Sequence, residues 1–300
     1  MRRMVCAGAL LLVVGQAAAK EKMIRLSVQD AQALRGKTVA LTLHEPPSFM
    51  AMTAGKASFA LFGAAAMASA GNELVRQNAV PDPAGLVRDQ LGGALAQAYG
   101  AQLLPLDATP TKAEKPAELA NLHRDADYVL DVRSGGWNYA YFATQWGHYW
   151  VGYSVQVKLV ETSSRRVVSN LACATNTLKD GDAPTREALH ANQASLLKHV
   201  TAALGARCVQ LLGREQFQLT AAQMPVLPPS LANVLRPGNA PAELAAAGDA
   251  PAPETQPLPV GEPLSVAPPA TIAPVTPAAA TPATGSGGTN WRQWPANGGL

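Results

Sequence analysis

Tyr149-Trp150-Val151-Gly152-Tyr153-Ser154-Val155-Gln156-Val157-Lys158-Leu159-Val160 is the stretch that decides the fold. Tyr149, Val151, Tyr153, Val155, Val157 and Leu159 form one apolar and aromatic set; Trp150, Gly152, Ser154, Gln156 and Lys158 alternate with them. A period of two residues places successive side chains on opposite faces, so this is a strand with one inward face. The polar run Glu161-Thr162-Ser163-Ser164-Arg165 has the length of a hairpin connection, and Val167, Ser169, Leu171 and Cys173 resume the alternation on a returning strand. Upstream, Tyr128, Leu130 and Val132 alternate with Val129, Asp131 and Arg133, pause at Gly135-Gly136, and continue as Trp137, Tyr139 and Tyr141 around Asn138 and Ala140. The pattern predicts a hairpin from about Tyr128 to Val160 with residues 143–147 near its tip, and hence an antiparallel meander.

Farther out the periodicity changes. Ile24, Leu26 and Val28 predict a short strand, and Val39, Leu41 and Leu43 a stronger one that Pro46-Pro47 ends, since proline donates nothing to a ladder. Residues 57–80 form an apolar helical insertion that opens with sixteen uncharged residues, 57–72. Small residues recur four apart (Ala60, Ala64, Ala68), and Gly63 and Gly71 lie eight apart, which on a helix permits close backbone approach. Two readings stay open: a helix packed on the sheet, or residues 57–71 inserting into a membrane or packing helix to helix in an oligomer. Sixteen helical residues rise about 24 Å, marginal for a span. Asp82-Pro83 has the form of a helix start, Leu86, Val87, Leu91, Ala94, Leu95 and Ala98 an apolar face, and Gly100 a stop. A strand is expected at 101–106, a short helix at 115–123, and a long amphipathic helix opening at Asp182-Ala183-Pro184-Thr185 and running to about Gln216. The fold class is therefore α+β: an antiparallel-rich mixed sheet with helices packed on it.

Both ends of the chain differ from this middle. Arg2-Arg3, the apolar run Met4–Gly15 and Ala17-Ala18-Ala19 follow the order of a secretory signal peptide, residues 1–19, with cleavage expected after Ala19. The run of twelve would rise about 18 Å, short of the roughly 30 Å of bilayer hydrocarbon, which disfavours the alternative of an uncleaved anchor. Cys6 precedes the apolar run and follows Val5, so it does not read as a lipidation site. Sixteen of the 24 prolines lie between Pro225 and Pro295, and residues 220–300 read as a disordered, Pro/Ala-rich tail that lacks the apolar content to offset chain entropy. That leaves 20–219 as one globular α+β domain. The formal charge of +3 falls to +1 once Arg2 and Arg3 leave with the signal, too little for an electrostatic nucleic-acid binder. An exported chain meets oxidising conditions, and with Cys6 removed Cys173 and Cys208 are expected to pair: one lies on an inward strand face, the other on the apolar side of the last helix.

Eight of the chain's sixteen aromatic residues fall within 137–153. Trp137, Tyr139, Tyr141, Trp146 and Trp150, with His148 at the tip, are the candidate partner surface, because Trp and Tyr anchor interfaces with little loss of side-chain entropy. A two-sided sheet with aromatic cross-strand pairs is the competing structural reading. Trp291 and Trp294 in Asn290-Trp291-Arg292-Gln293-Trp294-Pro295 form a second candidate, a short docking motif on the tail. No catalytic motif and no cofactor signature is found. His123, Asp125, Asp127 and Asp131 make a small His/acid group, for which a plain pairing of Asp131 with Arg133 is the leading reading and metal binding the minor one. His190 and His199 lie nine apart, which suits no metal pair.

Ala126-Asp127-Tyr128-Val129-Leu130-Asp131-Val132, then Val157-Lys158-Leu159-Val160-Glu161-Thr162 followed by Arg166-Val167-Val168, resembles the strand and hairpin patterns of bacterial envelope domains of the curli-secretion-channel, TolB amino-terminal and penicillin-binding-protein-activator group. The likeness covers roughly residues 37–212; the 48–80 insertion and the aromatic hairpin depart from it. It implies an α+β sandwich and a non-enzymatic role in envelope assembly or regulation, and it carries over no functional residue. The expectation is a non-catalytic protein of the periplasm or outer membrane that binds an envelope-protein or cell-wall partner and self-associates in the membrane-linked alternative; a periplasmic enzyme using His148 or the 123–131 acids is the minor one.

Overall fold

The computed structural model describes residues 23–57, 63–179 and 183–226. The signal-peptide reading, the first apolar residues of the insertion and Trp291 and Trp294 lie outside them. The elements follow in chain order: α1 (Val28–Ala33), β1 (Thr38–Leu41), β2 (Phe49–Met52), α2 (Ala54–Ala57), α3 (Gly63–Asn78), α4 (Ala84–Tyr99), β3 (Gln102–Leu103), α5 (Pro116–Leu122), β4 (Tyr128–Phe142), β5 (Gln145–Glu161), β6 (Arg166–Asn176) and α6 (Arg186–Glu215), with a 3-10 turn at Ala221–Gln223. The fold is α+β: a six-stranded mixed sheet ordered β3-β1-β4-β5-β6, with β2 beside the far half of β4.

The predicted hairpin is the centre of the sheet. β4 and β5 pair antiparallel from Tyr128↔Glu161 to Phe142↔Gln145, joined by Ala143-Thr144, and β6 continues the meander on β5. The pause at Gly135-Gly136 is a register shift between Ser134 and Gly136. One extra residue moves the inward set from even to odd numbers, so Tyr128, Leu130 and Val132 and then Trp137, Tyr139 and Tyr141 share one face. β1 and β2 both lie parallel to β4, β1 against Tyr128–Leu130 and β2 against Trp137–Ala140.

The inner face of this sheet packs on α3, α4 and α6 around a core that includes Phe49, Leu91, Leu95, Trp137, Tyr153, Leu204 and Phe217. α4 ends where the sequence places its stop, with Gly100 left-handed at φ 72° and its N–H donating to the Ala96 carbonyl. Cys173 on β6 and Cys208 on α6 form the expected disulfide, with Cα atoms 5.6 Å apart. α6 is capped by Thr185, whose hydroxyl accepts from the Ala188 N–H, and is kinked at Ala191–Ala194. The outer face carries α5 over its near half, where Leu119 packs with Val129 and Val160.

Three expectations need correction. The strand at 24–28 is a single bridge from Ile24 to Asn170, because Ser27 caps α1 by accepting from the Asp30 N–H and turns the chain helical from Val28. The strand at 101–106 shrinks to the two residues of β3. Ahead of the 57–80 insertion lies a strand to which the sequence reading assigns no element, β2, against which α3 lays Met67, Gly71 and Leu74. Contact is so close that a Cβ on Gly71 would sit 1.8 Å from the Phe49 carbonyl oxygen. Among the described residues no helix is long and apolar enough to cross a membrane.

Candidate functional site

The far half of the β4–β5 hairpin gathers the aromatic cluster and divides it between two environments. Trp137 and Tyr139 are each only 2% exposed. The Trp137 indole N–H donates to the Pro47 carbonyl at 2.8 Å, and its ring meets Phe49 edge-on at 5.1 Å. Tyr139 packs edge-on against both Phe49 and Tyr149, and its hydroxyl lies 3.1 Å from His190 Nε2. Burial pushes the Tyr139 phenol up to about 12. These two side chains present no surface to a partner, which corrects their place in the candidate set. The cause is the register shift at Gly135: it puts Trp137 opposite Tyr153 and Tyr139 opposite Val151, and residues directly paired across strands share a face. Tyr141 is half-buried against the same core.

The remaining members face solvent. Trp146 at the tip is 70% exposed, its indole N–H held by the Ala143 carbonyl at 2.7 Å. His148 is exposed and bridges in strand fashion to Thr185. Trp150 is half-buried on the outer face and turned along its own strand, since a Cβ on Gly152 would come within 2.8 Å of its Cζ3 and of Asn138 Oδ1. Any residue larger than Gly152 would collide with the indole edge. Met50 and Met52, alternating with the buried Phe49 and Ala51 on β2, are half-exposed next to Asn138 and Ala140. The methionines are the part of this surface that sequence reasoning missed: they fall between Pro46-Pro47 and the helical reading at 57–80, in a stretch to which the pattern assigns no element.

The His/acid group does not assemble. Asp127 accepts from the Thr38 backbone N–H (2.9 Å), Thr38 Oγ1 and Lys37 Nζ, and these contacts, the backbone one first, hold its carboxyl below the usual carboxylate range. Asp131 does not pair with Arg133. It is buried, accepts from Thr42 Oγ1 at 3.0 Å and sits 2.6 Å from His44 Nε2, while Arg133 pairs with Glu114. Burial pulls His123 down from the ordinary histidine value. On the inner face Asp82 accepts from the Ala84 N–H at 3.0 Å and from Ser134 Oγ at 2.5 Å, and its burial raises its carboxyl pKa. These polar groups tie elements together: Asp127 and Asp131 fasten β1 and its extension to β4, and Asp82 fastens the start of α4. No group of three or more His, Cys, Asp or Glu able to hold a metal occurs among the described residues.

No family model matches the chain, and no curated protein does. Solved structures similar to it include a lipoprotein from Neisseria meningitidis (11% identity, 59% of this chain and 99% of that one, TM-score 0.28). Others are a PelC dodecamer from Paraburkholderia phytofirmans (13%, 61% and 91%, TM-score 0.26) and the LpoB C-terminal domain from Escherichia coli (16%, 47% and 84%, TM-score 0.20). At these identities and scores the likenesses assign no activity to this chain.

Proposed function

We propose that this chain is an exported, non-catalytic envelope module that binds a protein or cell-wall partner through the tip and outer face of its β4–β5 hairpin. The observation that carries the reading is the uneven use of the sheet. The inner face buries aromatic rings beneath three helices, whereas the outer face keeps Trp146, Trp150, Met50 and Met52 at least partly open to solvent. Aromatic and methionine side chains are those that interfaces use as anchors, giving large contact area at modest conformational cost. Export is supported by the leader-like start and by the cystine between β6 and α6, a bond that persists in oxidising compartments.

Trp146→Ala and Trp150→Ala test this in the exported protein. Each variant keeps the wild-type melting profile and loses at least about tenfold in affinity for isolated envelope material, about 1.4 kcal/mol per anchor. Unchanged affinity in both folded variants removes the hairpin from the binding role.

A further inference from the structure

The opening turn of α6 is separated from the rest of the helix by a break in its backbone. Ala191 is extended (φ −61°, ψ 154°), and Asn192, Gln193 and Ala194 follow with φ of 50°, 55° and 55°. The left-handed region is costly for a residue with a Cβ, and such residues visit it singly. Elsewhere among the described residues they do so: Ala79, Arg165 and Gln218 each stand alone. A left-handed run persists only where the structure on both sides over-determines it.

Both sides of this one are anchored. Downstream, Ala194, Leu197 and Leu204 are fully buried, and Cys208 ties the helix to β6. Upstream, residues 184–190 lie against the far end of the sheet. The Tyr149 N–H donates to the Pro184 carbonyl at 2.9 Å, and His148 and Thr185 form an antiparallel bridge. Leu189 is fully buried, and His190 Nε2 lies 3.1 Å from the Tyr139 hydroxyl. The Thr185 hydroxyl accepts from the Ala188 N–H, so the opening turn carries its own cap. The downstream anchors run the length of α6, whereas the upstream ones fall within 184–190. The left-handed turn therefore loads the weaker anchor.

We propose that residues 184–190 are a strap held closed against backbone strain, which lifts from the sheet while the rest of the fold stays intact. Lifting lets residues 192–194 leave the left-handed region. It frees the Tyr149 N–H and opens the side of Tyr139 that faces His190. Sub-global opening belongs to segments with few buried contacts. The strap closes over the inner face of the sheet, whatever the outer face binds, so this proposal and the binding role of the hairpin stand or fall separately.

Amide hydrogen exchange in the full exported chain tests it. Gln193 is exposed, so its replacement removes no buried contact. Gln193→Gly lifts the Cβ penalty from the closed form, and Gln193→Val, β-branched, raises it. In wild type the Tyr149 and Leu189 amides exchange about 100-fold faster than the Leu204 amide, because the strap opens without the cystine-clamped part of α6. Relative to Leu204, Gln193→Gly slows both at least about tenfold and Gln193→Val speeds both by a similar factor. If the valine variant fails to fold, the glycine variant decides. Exchange of Tyr149, Leu189 and Leu204 at one common rate in wild type, or a folded Gln193→Gly whose ratios match those of wild type, overturns the strap.

Discussion

At the scale of single residues, glycine marks where this fold allows no side chain. Gly71 and Gly93 both lie inside helices, yet a Cβ on Gly71 would collide with the Phe49 backbone whereas one on Gly93 would meet nothing within 4 Å. Gly71→Ala is expected to cost about 1–3 kcal/mol, near the upper end because the obstacle is backbone, and Gly93→Ala to add about 0.5–1 kcal/mol through helix propensity. Urea unfolding of the two variants measures both, and equal signs would contradict the packing of α3 on β2. Asp82 gives a pH prediction. Its buried carboxyl titrates above its unfolded value, so between those two values the folded state holds more protons than the unfolded one, and stability falls as pH rises through that window. Asn can keep the bond from the Ala84 N–H without a charge. Asp82→Asn therefore gains stability relative to wild type as pH rises from about 3 to 7, read from denaturant midpoints at each pH; a constant difference would contradict the assignment. Trp137 and Tyr139 show how far single residues were legible. Tyr153 was already assigned inward, and pairing across the hairpin would have carried Trp137 with it, but the register depends on the extra residue at Gly135, which periodicity alone does not count.

At the scale of elements, strong alternation was readable and weak or tertiary-dependent elements were not. β4, β5 and β6 repeat an apolar set over eleven to seventeen residues and appear where expected. β2 has four residues, Phe-Met-Ala-Met, with no polar alternation, and takes strand form because β4 offers a free side and α3 closes over it. His44 escaped notice because its partner Asp131 lies 87 positions away, joined to it only once β1 has paired with β4. The cystine was legible because both sulfurs fell on inward faces. It clamps α6 to the meander across a separation of 35 residues, and its replacement by Cys173→Ala/Cys208→Ala should lower stability by about 3–4 kcal/mol. Thermal unfolding with and without reductant checks this: the paired variant melts where reduced wild type does, and reductant leaves the variant unmoved. A variant as stable as oxidised wild type would mean that the bond carries no constraint.

At the scale of the whole molecule, one sheet has two unlike faces. The inner one is consumed by folding, since α3, α4 and α6 bury its rings. Among the described residues a helix, α5, covers the near half of the outer one, and farther out lie Trp150, beside Gly152, and Trp146 at the tip. Composition could announce that aromatic residues were concentrated, but the division between core and surface is a property of register and helix placement. The most direct measurement is site-specific photo-crosslinking in the native cell envelope, with the reactive side chain at Trp146 or Met52 and, as reference, at the exposed Leu122 on α5. A discrete adduct of the same mass from positions 146 and 52, absent from 122, is the predicted result. No adduct at 146, or the same adducts from all three positions, would contradict the account.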